Sequence, residues 1–144
     1  MKLLVAIDFS EITDLILQKV KEIALKAHAK VWLIHVVQPE PDFVGYDVGP
    51  ESERVFIAKK FHEKHAELQS IAKNLAMSNV DITPLLLQGP TVTTILDEAQ
   101  KLNADIIVVG SHGHGTMFNL LVGSVSKGLL KKSSVPVLIV PVVK

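Results

Sequence analysis

The residues best suited to chemistry lie between Ile106 and Lys132, in the stretch IIVVGSHGHGTMFNLLVGSVSKGLLKK. Four aliphatic residues, Ile106 to Val109, lead into a loop that carries Gly110, Gly113 and Gly115. Gly123 follows, then Ser124, Val125 and Ser126 at the start of a helical pattern with Lys127, Lys131 and Lys132 on its polar side. Glycine lets the backbone approach a ligand closely and take up positive φ. The unpaired N–H groups at the start of a helix, with its dipole, favour phosphate oxygens. A buried strand, a glycine-rich loop and a helix opened by hydroxyls therefore make an anion-binding device. The competing reading is a plain turn with Ser124 as an ordinary N-cap, and for Ser124 the two roles are compatible. Neither GxxxxGK[ST] nor GxGxxG occurs, so the two common phosphate fingerprints do not apply.

A carboxylate stands apart from this stretch. Asp8 closes the apolar run KLLVAID, at what should be the carboxyl end of a strand. Ligands of open α/β sheets bind at such ends, although an aspartate there also commonly caps the following turn. His112 and His114 flank Gly113. Two imidazoles at i, i+2 make half a metal site, but the chain has no cysteine and the loop no carboxylate to complete it. They are read instead as exposed groups able to touch phosphate when protonated. Phosphoryl transfer needs a metal-holding acid, a positioned water and a cationic clamp. The single arginine, Arg54, lies far from the glycine loop, which has no Lys or Arg before Lys127. Binding is expected here rather than efficient turnover, and no catalytic residue is assigned.

The elements that must position these groups follow from periodicity. Strands are expected over Lys2–Asp8, Lys30–Val37, Val80–Gln88, Ile106–Val109 and Pro136–Val143. The first helix should open at Ser10 as N-cap and run to about His28, with Ile12, Leu15, Ile16, Val20 and Ile23 at helical spacing. Gln38 to Pro50 holds three prolines and two glycines and reads as a loop. A long helix over Glu51–Met77 should bury Phe56, Ile57, Phe61, Leu68, Ile71, Ala72 and Leu75. A third helix begins at Pro90 and a fourth near Ser124. Pro84 places the third strand at a sheet edge.

Strands alternating with helices imply an α/β doubly wound, five-stranded parallel sheet with helices on both faces. The chemically loaded strand ends are Asp8 after the first strand and Gly110 after the fourth. That favours the order 3-2-1-4-5, whose switch point lies between those two strands. The order 2-1-3-4-5 would put the switch beside Gly89-Pro90-Thr91, which carries no charge.

Composition bounds the function. The 144 residues are read as a single domain, residues 1–144, with 48% hydrophobic residues to fill a core. Fifteen basic and fifteen acidic residues cancel, which argues against nucleic acid as partner. There is no cysteine for a disulfide or thiolate site, no run long enough to span a membrane, and no signal peptide at Met1. A cytoplasmic location is expected.

Taken together, AIDFSE, LIHVV, ADIIVVGSHG, the spaced motif Gly110-x2-Gly113-x9-Gly123-Ser124 and the closing LLKKSSVPVLIV resemble the universal stress protein family, in its ATP-binding branch. The resemblance covers essentially the whole chain. It implies a Rossmann-like fold of the adenine-nucleotide alpha-hydrolase type. It implies ATP with Mg²⁺ or Mn²⁺, the metal held mainly by phosphate and water. Asp8 would contact the adenosine part, and the backbone of Val36 would pair with adenine between Ala6 and Val109. Gly110 and Gly113 would pack on ribose and phosphate, with Gly123, Ser124, Val125 and Ser126 on the phosphates; His112, from its place in the loop and not from the resemblance, could touch phosphate when protonated. It also implies a homodimer through the strand at 136–143 and a role as nucleotide-dependent regulator in stress response. The alternative is a slow ATPase or another nucleotide-using enzyme of the same superfamily. A nucleotidyl transferase reading of HGHG is discounted, because that family's element follows the first strand. A receiver domain is discounted because only Asp8 of its required residues is present.

Overall fold

A run of aliphatic residues that lacks a polar face must be covered on both sides, and this governs the fold. A computed structural model of the chain describes residues 1–38, 51–111 and 122–142, the side chains of residues 51–53 excepted. In chain order the elements are β1 (Lys2–Ala6), α1 (Thr13–Ala27), β2 (Lys30–Val37), α2 (Glu51–Ala76), β3 (Asp81–Gln88), α3 (Thr91–Leu102), β4 (Ile106–Gly110), α4 (Ser124–Lys132) and β5 (Val137–Val140). The strands form one parallel sheet in the order β3-β2-β1-β4-β5, as expected from the loaded strand ends.

Strand alternation sends successive side chains to opposite layers. Leu3, Val5, Val31, Leu33 and Val108 pack on one face against Ile16 and Val20 of α1 and Leu68 and Leu75 of α2. Leu4, Ile34, Ile107 and Val109 pack on the other against Ile95 and Ala99 of α3 and Leu129 of α4. β3 lies at one edge, and Pro84 sits opposite Leu33 with no strand of the described residues on its far side. No helix of the described residues is long and apolar enough to cross a membrane.

Several expected boundaries shift, each for a physical reason. β1 ends at Ala6 rather than Asp8, because the chain turns sharply at Phe9, whose φ is 58°. Phe56 and Phe61 are not buried: they are 65% and 36% exposed. α2 has 26 residues, or about 39 Å of helix, against about 26 Å for an eight-residue strand. The sheet covers only its C-terminal part, where Leu68, Ala72 and Leu75 are buried. β5 stops at Val140 instead of continuing to 143, because the next donor that faces β4, the Val142 N–H, bonds to the Ser111 hydroxyl and not to a strand carbonyl.

α3 and α4 approach closely at Gly128, where an added Cβ would lie 2.8 Å from Cγ2 of Val92. Gly128→Ala should lower stability by about 1 kcal/mol, overpacking outweighing the gain in helix propensity. In a double-mutant cycle by urea unfolding, Val92→Ala should recover most of that loss; simple additivity would disprove the contact.

Candidate functional site

Two strand ends build the site. Beyond Ala6 the backbone of β1 keeps one more contact with β2, as the Ile7 N–H donates to Ile34 O at 3.0 Å. The carboxylate of Asp8 then accepts from the N–H of Ser10 at 3.1 Å and from the Ser10 hydroxyl. This is the turn-capping role foreseen for Asp8, and it changes that of Ser10. The Ser10 hydroxyl is spent on Asp8, so α1 starts later, at Thr13, with Ile12 in the N-cap position and no side-chain cap.

At the end of β4 the chain is tied down by Ser111 and Ser126, both buried. Ser111 N–H donates to Val140 O at 2.9 Å, its carbonyl accepts from Gly123 N–H, and its hydroxyl accepts from Val142 N–H at 3.0 Å. The two ends of the glycine loop are thus held together across residues 112–121, which lie outside the described residues. The Ser126 hydroxyl donates to Gly110 O at 2.6 Å. Gly123, not Ser124, takes the N-cap position, in extended backbone with φ −68° and ψ 165°. Ser124, Val125 and Ser126 are then the first three helical residues, whose N–H groups have no carbonyl within the helix to pair with.

Between these strand ends lies a cavity of about 390 Å³. It is lined by Ala6, Ile7 and Asp8 after β1, by Val109 and Gly110 of β4, and by Gly123, Ser124, Val125 and Ser126. Val36 lines it from β2. Every expected site residue within the described part of the chain is therefore on this wall. His112 and Gly113 lie outside the described residues.

The end of β2 is shaped by a mismatch in strand length. β2 pairs with β1 only as far as Ile34 but with β3 as far as Val37. Ile34 O faces β1 and Val37 O faces β3, as their bonds to Ile7 and Gly89 show. By the alternation of a parallel ladder, the N–H and C=O of Val36 turn toward the side that β1 has already left. A donor and an acceptor, side by side, thus face the cavity.

Sequence reasoning missed His35, Gln38 and Thr91, which also line the cavity. The Gln38 amide donates to the Thr91 hydroxyl at 2.9 Å and links the end of β2 to the start of α3. Gln38 was detectable, since it shares a strand face with Val36. His35 was detectable as the one ionisable group near the end of an aliphatic strand. Its Nδ1 lies 2.8 Å from Ile7 O, and its ring stacks at a tilt on Phe9 with centroids 4.6 Å apart. Burial holds its pKa below the usual histidine value, with Lys64 acting in the same direction, against the Ile7 hydrogen bond and the carboxylates of Asp8 and Glu67. Among the described residues no group of three or more His, Asp or Glu side chains could hold a metal.

The model of the Universal stress protein family matches residues 1–141. The chain belongs to that family. Universal stress protein MJ0577 of Methanocaldococcus jannaschii is 28% identical, the match covering 96% of this chain and 93% of the relative. A solved structure of MJ0577 superposes with a TM-score of 0.86 at 29% identity, covering 99% of this chain and 96% of that one. The universal stress protein from Archaeoglobus fulgidus in complex with dAMP shares the fold, with a TM-score of 0.66 at 20% identity over 96% of both chains.

The position of His35 in this universal stress protein domain gives stability a pH dependence. The unfolded chain protonates His35 near pH 6.5, the folded chain only at lower pH. This group therefore leaves stability unchanged above that value. It lowers stability as pH falls from there through the folded pKa. Thermal unfolding between about pH 7.5 and 5.5 should show a smaller acid-induced drop for His35→Asn than for the wild type. Equal drops in the two proteins would contradict this account.

Proposed function

We propose that this domain binds ATP together with Mg²⁺ or Mn²⁺ and acts as a nucleotide-dependent regulatory module in stress response. The observation that carries this reading is the cavity at the switch point. One end offers the first-turn amides of α4 behind Gly123, and the other offers Asp8 and the backbone of Val36. Helix-start amides and glycine backbone suit phosphate oxygens without a charged side chain. The adjacent N–H and C=O of Val36 match the ring nitrogen and amino group of adenine. Guanine presents the opposite polarity on that edge, so ATP should be preferred to GTP. Ser126 contributes through its N–H, because its hydroxyl is committed to Gly110. The dAMP complex of the Archaeoglobus relative is in keeping with an adenine ligand. The cation would be held mainly by phosphate and water.

A homodimer through β5 is part of the proposal. β5 is an edge strand, and Leu138 and Val142 are 37% and 38% exposed beside it. Exposed edges of this kind are usually paired or covered. Ile139 packs into the core layer of α3 and α4, so Leu138 is the better position to probe.

Calorimetry on nucleotide-stripped protein tests the ligand. Wild type should bind ATP with the divalent cation and bind GTP at least about tenfold more weakly, a difference of about 1.4 kcal/mol. Gly123→Val is compatible with the local backbone and should abolish binding by filling the cavity; absence of ATP binding to the wild type would end the proposal. Light scattering tests assembly: a dimer mass is expected for the wild type and a monomer for Leu138→Asp. A wild-type monomer at micromolar concentration would refute the interface.

A further inference from the structure

Asp8 stands on a stretch of chain with an unfavourable conformation built into it. The next residue, Phe9, has a φ of 58°, in the left-handed region that bulky side chains avoid. Such a conformation persists only where its surroundings over-determine it. Here the surroundings are a stack of groups from two other elements. The Phe9 ring packs against His35 of β2, and the Lys64 ammonium of α2 sits 4.5 Å from the centre of the same ring. One step earlier, β2 holds both backbone polar groups of Ile7. Ile34 O takes its N–H at 3.0 Å, and His35 Nδ1 meets its carbonyl at 2.8 Å. A carbonyl only accepts, so Nδ1 carries the proton and donates it. His35 therefore touches the residues on both sides of Asp8 in sequence.

We propose that neutral His35 is the positioning residue for Asp8, and that occupation of the cavity by nucleotide is thereby linked to proton release from this imidazole. The ligand in this statement rests on the reading above; the geometry does not. Asp8 from the β1–α1 turn and Lys64 and Glu67 from α2 act on the ring, and Arg54, Lys60 and His62 of α2 border a hollow that His35 also lines. Its partner in β3, Leu86, carries no charge. A second proton on the ring would place a cation beside Lys64 and next to the carboxylate that must face the ligand. It would set Lys64 against the stack that holds Phe9, and would draw Asp8 toward the ring.

A nucleotide adds to this preference. The strand order separates the end of β2 from the end of β4 by two strand spacings, about 10 Å. The phosphates belong at the α4 end, so the uncharged base and ribose cover the His35 end. Cover without a counter-charge strengthens the desolvation that already keeps the ring neutral. Affinity should then fall as pH falls through the range in which His35 takes up its proton. One linked proton changes affinity by at most about tenfold per pH unit.

The test compares wild type, His35→Asn and His35→Leu. The asparagine amide can still donate to Ile7 O but does not titrate near neutrality, whereas leucine does neither. ATP affinity would be measured by calorimetry at intervals between about pH 7.5 and 5.5, with divalent cation constant. Protonation of the phosphate is common to all three proteins and cancels in the comparison. His35→Asn should bind within about threefold of wild type at the upper pH and lose less affinity on acidification, while His35→Leu should be weaker throughout. Identical pH profiles for wild type and His35→Asn would overturn the proposal. A second measurement needs neither variant nor ligand. In NMR titration of the wild-type protein, the amide resonances of Asp8, Phe9 and Ser10 should move with the ionisation of His35. If those resonances ignore it, the positioning role is wrong even where ATP binds. If they follow it but ATP does not bind, the positioning role stands and the nucleotide reading fails.

Discussion

The pairing of β1 with β4 is the constraint from which the site follows. These strands are adjacent in the sheet, with Leu3 opposite Ile106 and Val5 opposite Val108. The helices that follow them leave for opposite faces, α1 to the layer around Leu3 and Val5, α4 to the layer around Leu4 and Ile107. Two chains that diverge from neighbouring strand ends cannot fill the space between them. The resulting gap is the cavity, and the residues placed there are those that happen to follow β1 and β4. Right-handed crossover connections make this divergence a property of topology rather than of any one side chain.

What the cavity offers to an anion is backbone geometry more than charge. Its described wall contains Asp8 and His35 but no lysine or arginine. What replaces a cationic side chain is the first turn of α4, aimed by the bond from the Ser126 hydroxyl to Gly110 and by the bond from Gly123 to Ser111. Amide dipoles fixed in this way need no reorganisation when a ligand arrives, and they leave the protein's net charge at zero. The serines buried at this end therefore serve mainly to hold the donors in place.

The opposite end depends on a strand that is too short. Because β1 stops before β2 does, the N–H and C=O of Val36 in β2 are turned toward the cavity and the His35 side chain reaches the continuation of β1. The same mismatch thus leaves a donor and an acceptor facing the cavity and brings His35 to the residue before Asp8. The open backbone edge of Val36 and the contact of His35 with Ile7 are in this sense one structural fact.

Much of this was legible in the chain itself. Aliphatic runs without a polar face can only become strands buried on both sides, so Ile106–Val109 and Val31–Ile34 declared a parallel sheet. Asp8 and Gly110, placed after such runs, pointed to the strand order, because only one switch point brings them together. The described site residues drawn from the spaced glycine motif, Gly110 and Gly123 to Ser126, fall on one wall for the same reason. Other features depended on distances that sequence does not encode. Phe56 and Phe61 have the helical spacing of a buried stripe, yet α2 outruns the sheet that would cover it. Ser10 has the chemistry of an N-cap, but its hydroxyl met the Asp8 carboxylate first. His35 has in the sequence only the place of a surface or packed residue in a strand, and the lengths of β1 and β2 made it a neighbour of Ile7 and Phe9. Pattern specifies which face of an element is apolar; where that element ends relative to its neighbours is settled by packing in three dimensions, and the finer parts of this site sit at those ends.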